Sequence, residues 1–199
     1  MLKSLPNILT LMRLGLAVVF LSMILYCPRV HNRTIYLDAT FILFVIAGLT
    51  DVVDGHIARR FNATSKFGRI VDPLADKVLV CGAFICFAII GEPKLFGLPR
   101  VPLAAVHWSI AAILVARETY VTILRHIAEA RGINFAAVAS GKVKTFIQVF
   151  AVGTVIIKIA HFRTAAWGSW FTVIVFVILI VVTAYSGIDY EIRWRRLRR

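Results

Sequence analysis

The chain has 199 residues, 60% of them hydrophobic, with a mean hydropathy of +0.84 and a formal net charge of +13. So apolar a composition excludes an ordinary water-soluble domain. It also redirects the meaning of the charge: nucleic acid is the usual partner of a basic soluble chain, whereas here anionic membrane lipid and anionic substrates are expected, with no nucleic acid. Cys27, Cys81 and Cys86 lie in or beside apolar runs, without disulfide or zinc spacing, and read as small buried hydrophobes.

In chain order, apolar runs near the length needed to cross hydrocarbon recur, and strong β alternation is absent. The first predicted span runs from about Leu9 to Tyr26. Asn7, Thr10 and Arg13 interrupt it, and no small-residue cleavage site follows, so it is expected to be a retained helix. Arg13 either snorkels or faces a polar cavity. A polar turn, Pro28 to Thr34, leads to span 2, Ile35 to Thr50, whose helix is predicted to continue to Arg59. Phe61 to Lys66 is a loop. Span 3 covers Gly68 to Ile90, and Gly91 to Arg100, rich in glycine and proline, is a second loop. Span 4 runs from Val101 to Tyr120 with its helix extending past Arg125, and span 5 from Val143 to Ala160. Span 6 runs from Trp167 to Tyr190, before a basic tail, Arg193 to Arg199. His107, Trp108, Trp167 and Trp170 read as membrane-interface residues. The prediction is an all-α integral membrane domain of six transmembrane helices over residues 1–199, without internal repeats.

Basic residues fix the expected orientation. Fifteen lie on the side that both termini would share and six on the other, which puts both termini in the cytoplasm.

Against this background Asp51–Asp76 stands out. It holds four of the ten acidic residues, Asp51, Asp54, Asp72 and Asp76, at the cytoplasmic ends of spans 2 and 3. Carboxylates beside membrane spans are costly and mark function. On a helix Asp51 and Asp54 fall within about 60° of each other, and Asp72 and Asp76 within about 40°. An antiparallel hairpin of spans 2 and 3 would aim both pairs into one gap. Each close pair would repel by about 4 kcal/mol at an effective dielectric near 20, a repulsion that protons or cations must relieve. Oxygen-only ligands suit hard divalent cations, and two of them would clamp a pyrophosphate. Gly55 opens room for a ligand beside Asp54, Ala58 continues that small face, and Arg59 adds a phosphate-pairing cation. His56 reads as packing, and Pro73 is expected to bend the start of span 3.

Asp51, Asp54, Gly55, Ala58, Arg59, Gly68, Asp72 and Asp76 match D-x2-D-G-x2-A-R-x8-G-x3-D-x3-D at every fixed position. This resembles the signature of the CDP-alcohol phosphotransferase family. The segments LPNILTLMRL, DPLADK, ILVARETYVTILR, SGKVKT and YSGIDY resemble the bacterial branch that makes phosphatidylglycerophosphate, so the likeness runs along essentially the whole chain. The resemblance implies transfer of a phosphatidyl group from CDP-diacylglycerol to the 1-hydroxyl of sn-glycerol 3-phosphate, with release of CMP. It implies two metal ions, Mg²⁺ or Mn²⁺, on Asp51, Asp54, Asp72 and Asp76, with Asp76 also the catalytic base. It implies that Asn7, Thr10, Asp54, Gly55, Ala58, Arg59, Ser65 and Gly68 meet CDP-diacylglycerol. It further implies a homodimer in the bacterial inner membrane, in contact with membrane lipid, its active site facing the cytoplasm.

The acceptor's phosphate dianion needs cations. Arg117, Arg125, Lys142 and Lys144 share the depth of the aspartates and are the candidates, although positive-inside anchoring explains the two lysines equally well. Glu118 either orients Arg117 or neutralises it, and Asp189 carries the same ambiguity. The five-arginine tail reads as lipid-surface anchoring. Phosphatidylglycerol or inositol phosphate as acceptor would use the same chemistry. An ion-coupled transporter is the rival of another class, disfavoured because its carboxylates would sit near the midplane in repeated halves.

Overall fold

The computed structural model describes residues 5–60, 66–131 and 139–197; of these, the side chains of 5–10, 51–60, 66–76, 139–140 and 142 are not among those described. The described chain is helical: α1 (Leu5–Tyr26), α2 (Arg33–Arg60), α3 (Lys66–Ile90), α4 (Arg100–Ala130), α5 (Ala139–His161) and α6 (Ala166–Leu197), with a 3₁₀ turn at Cys27–Arg29. Each helix falls on one of the expected apolar runs. Among the described residues five helices are long and apolar enough to cross a membrane, and Lys77–Ile90 of α3 is a shorter apolar stretch. At 1.5 Å per residue, α4 and α6 reach about 45 Å and so outrun a hydrocarbon core of about 30 Å.

The helices close into a ring. Among the described residues α1 packs on α3, α3 on α4, α4 on α6, α6 on α5, α5 on α2 and α2 back on α1, while α3 and α5 also touch across the middle. The connection of the expected hairpin, residues 61–65, lies outside the described residues; within them α2 and α3 each pack on α1, which lies between them. Gly82 of α3 permits this, because a Cβ at that position would sit 2.7 Å from Cδ1 of Leu21 on α1. On the α2 side Phe20 stacks on Phe44 with ring centroids 5.1 Å apart. The core draws on all six helices, with Phe20, Leu37, Leu114, Ile156 and Leu179 fully buried. Large apolar side chains such as Ile35, Ile42, Val101, Ile174 and Val181 point outward, a surface that hydrocarbon solvates and water does not.

Hydroxyls inside the spans turn back onto their own helices. Thr40 donates to the Tyr36 carbonyl at 2.8 Å, Thr154 to Phe150 at 2.9 Å and Thr172 to Gly168 at 2.8 Å. Such bonds satisfy a donor where no water can.

Of the two positions open to Arg13, the structure shows the inward one, buried within the bundle. Two sequence expectations change. His107 is buried on the inward face of α4 with Leu103, Ile110 and Leu114, in place of the interface position expected for it, whereas Trp108, Trp167 and Trp170 are exposed. Spacings of four and seven residues from Leu103 put His107 and Ile110 on one face. Finally, α6 continues through most of the basic tail to Leu197, because the extra turns of α4 give it a partner. Trp194 is buried in a cluster with Val121, Leu124, Ala128 and Tyr190.

Candidate functional site

The motif residues lie where two helices face the same connection. Asp51, Asp54, Gly55, Ala58 and Arg59 belong to the last turns of α2, and Gly68, Asp72 and Asp76 to the first turns of α3, which is helical through Pro73. Both aspartate pairs thus keep the helical spacing that sets each on one face. The side chains of these residues, of Asn7, Thr10 and Lys142, and all of Ser65, are not among the described residues.

One residue beyond Asp76 a polar cluster begins. Lys77 of α3 donates to the hydroxyl of Thr122 on α4, which donates to the Glu118 carbonyl at 2.6 Å. The Glu118 carboxylate takes Arg117 Nη1 at 3.2 Å, Lys144 Nζ from α5, and Gln148 Nε2 at 3.4 Å. Arg117 also donates through Nη2 to Ser186 of α6 at 2.5 Å. Arg125 donates to the phenol oxygen of Tyr190 at 2.6 Å. Both guanidiniums lie over the Tyr190 ring, Arg117 at 5.5 Å and Arg125 at 5.4 Å from its centroid.

Four helices therefore meet at one level, next to the aspartate-bearing turn of α3. Arg117, Arg125 and Lys144, expected from shared depth and from their places in family-like segments, come into one cluster. Glu118 both orients Arg117 and offsets its charge, so the two readings of that residue merge. Lys77 and Arg125 meet hydroxyls rather than carboxylates among the described residues. The Nε atoms of Arg117 and Arg125 are buried without a hydrogen-bond partner there. A buried donor left unsatisfied is costly, and a guanidinium with spare N–H groups suits an oxyanion. The geometry offers a phosphate two guanidiniums already held, Arg117 through both Nη atoms and Arg125 through Nη2.

Sequence reasoning gave no role to Gln148, nor to Lys77, Thr122, Ser186 and Tyr190, although these four lie in DPLADK, ILVARETYVTILR and YSGIDY. Ser186 and Tyr190 carried a signal, since they are four apart and so share one face of α6, the face that also buries Thr183. A cavity of about 430 Å³ lies elsewhere, between α2, α5 and α6, lined by Phe41, Phe150, Gly153, Lys158 and Phe171 among others. It is at the other end of these helices, and Lys158 there donates to the Phe162 and Arg163 carbonyls at 2.9 and 3.2 Å. It offers an apolar surface and no group for phosphoryl chemistry.

Comparison with known proteins bears on this arrangement. The profile of a family described as CDP-alcohol phosphatidyltransferase matches residues 3–185. A probable phosphatidylglycerophosphate synthase of Mycobacterium tuberculosis (strain ATCC 25618 / H37Rv) is 33% identical over 190 residues, covering 96% of this chain and 81% of that protein. The CDP-diacylglycerol–glycerol-3-phosphate 3-phosphatidyltransferase of Bacillus subtilis (strain 168) is 32% identical, covering 98% and 97%. The protein of that name from Escherichia coli (strain K12) is 30% identical, covering 94% and 92%.

Proposed function

The chain belongs to the CDP-alcohol phosphatidyltransferase family, and on that premise we propose that it transfers the phosphatidyl group of CDP-diacylglycerol to sn-glycerol 3-phosphate, giving phosphatidylglycerophosphate and CMP. The acceptor's 1-hydroxyl oxygen forms a bond to the phosphatidyl phosphorus. The bond from that phosphorus to the CMP oxygen breaks, and the hydroxyl proton passes to the Asp76 carboxylate. The observation that carries a phosphate-bearing acceptor is the Arg117–Tyr190–Arg125 cluster beside the aspartate-bearing end of α3, and among such acceptors glycerol 3-phosphate is the one named for the Bacillus subtilis and Escherichia coli relatives. A phosphate monoester answers those two guanidiniums, and a plain alcohol leaves them without an anion.

Asp51, Asp54, Asp72 and Asp76 form an all-oxygen donor set on two helices, which fits hard divalent cations such as Mg²⁺ or Mn²⁺, two of them in this reading. Bound there, they would neutralise the pyrophosphate and stabilise charge on the leaving CMP. Asn7, Thr10, Gly55, Ala58, Arg59, Ser65 and Gly68 line the nucleotide side. Arg117 and Arg125 receive the acceptor phosphate, Lys144 acts from behind through Glu118, and Lys142 adds charge from α5. In this reading the chain crosses the inner membrane six times with both termini and the site on the cytoplasmic face, a reading supported by the fifteen-to-six split of basic residues. The enzyme works as a homodimer.

The test is CMP release by purified protein in detergent with CDP-diacylglycerol and Mg²⁺, one acceptor at a time. Release with glycerol 3-phosphate, and little with phosphatidylglycerol or inositol phosphate, is expected. Release with another alcohol alone would overturn the acceptor assignment, and none with any acceptor would overturn the reaction.

A further inference from the structure

Tyr190 is 1% exposed, and two cations meet its ring. Like charges repel, so two guanidiniums stay beside one ring only when something holds them there. The negative face of the ring attracts each cation, and the phenol oxygen fixes Arg125 by a 2.6 Å hydrogen bond. Arg117 is restrained separately, by Ser186 one turn before Tyr190 on α6 and by its neighbour Glu118. Behind the phenol the α5 backbone comes close: a Cβ at Gly141 would lie 3.2 Å from the Tyr190 oxygen. Residues of three helices thus limit where the ring can go. On both arginines the buried Nε–H has no hydrogen-bond partner among the described residues.

We propose that Tyr190 is a positioning residue for acceptor recognition, setting the spacing and orientation of the Arg117 and Arg125 guanidiniums so that their unengaged N–H groups jointly receive the acceptor's phosphate. The inference rests on the acceptor reading above and adds what makes the two arginines act as one site. The tyrosine touches no reacting atom. Its effect reaches the reaction through affinity for one substrate, so it belongs in the acceptor KM.

The test is steady-state kinetics of the full-length enzyme in detergent with both substrates varied, on Tyr190→Phe and Tyr190→Leu. Tyr190→Phe keeps the ring and drops the hydroxyl; it should raise KM for glycerol 3-phosphate about tenfold, as loss of one hydrogen bond to a charged group implies. Tyr190→Leu removes both restraints and should raise it about fiftyfold or more. KM for CDP-diacylglycerol should stay within about twofold in both, since one acceptor-side restraint does not reach the nucleotide. Inorganic phosphate, as a competitor of the acceptor, should weaken in parallel. A merely structural tyrosine would lower the active fraction, and so kcat, without moving the acceptor KM. An unchanged acceptor KM in Tyr190→Phe and Tyr190→Leu, or equal rises for both substrates, would overturn the proposal. If Tyr190→Leu does not fold, Tyr190→Phe and the phosphate competition decide alone. Arg117→Ala and Arg125→Ala separate the two levels. Where they raise the acceptor KM and the tyrosine variants do not, only the positioning role fails; where they too leave it unchanged, the acceptor reading fails with it.

Discussion

Lys144 of α5 and Glu118 of α4 form an ion pair inside the bundle, their side chains 7% and 12% exposed. Arg117 shares the same carboxylate oxygen at 3.2 Å, so one acid serves two cations. Removing it leaves both without a counter-ion where water is scarce. Glu118→Ala should cost about 3 kcal/mol, as truncating one partner of a buried pair does. The loss should appear as a lower melting temperature of the detergent-solubilised protein. Adding Lys144→Met should restore part of it, as a coupled pair requires. Additive losses would show that the pair does not act as a unit.

The crossing of α1 and α3 makes a separate prediction about stability. Gly82→Ala places a methyl against Leu21 and should destabilise by about 1–2 kcal/mol through overpacking. Leu21→Ala in the same chain should relieve part of that loss, since the clash is with the leucine's terminal methyl. Thermal unfolding of the three variants measures it. Independent effects would mean that α1 does not pack this tightly on α3.

How far the sequence carried the fold depends on which force was at work. Helix positions were readable to within a few residues, because a membrane demands about twenty apolar residues and polar turns between them. The order of helices around the ring was not. In lipid the outward faces are as apolar as the inward ones, so periodicity does not say which neighbour a helix meets. That is why α1 between α2 and α3 came only from the structure. Arg117, Arg125 and Lys144 were found by shared depth and by their places in family-like segments, whereas Tyr190, quoted only as the end of YSGIDY, received no role because its partners Arg117 and Arg125 come from another helix. Glu118 could not be assigned from its neighbour in sequence, since its other partners, Lys144 and Gln148, come from another helix.

Topology can be tested with a membrane-impermeant thiol reagent. Cys27, Cys81 and Cys86 are free but buried, so background labelling should be low. A cysteine at Lys94, in the connection between α3 and α4, should label in intact cells. One at Arg131, at the end of α4, should label only after the membrane is opened. The reverse pattern would invert the orientation.

The aspartate set predicts dependence on a divalent ion. EDTA should abolish turnover and excess Mg²⁺ or Mn²⁺ should restore it, with no loss of helical circular dichroism in the stripped protein. Asp51→Asn should raise the Mg²⁺ concentration needed for half-maximal rate. Full activity in EDTA would remove the metal reading for all four carboxylates.

The central claim is tested most directly by following labelled sn-glycerol 3-phosphate into lipid, with CDP-diacylglycerol and Mg²⁺ in reconstituted vesicles. The account predicts labelled phosphatidylglycerophosphate formed in step with CMP by the unaltered enzyme. It predicts a rate lower by about 10²-fold or more for Asp76→Asn, the size of a lost general base. CMP release without label in lipid, or an unchanged rate in Asp76→Asn, would contradict it.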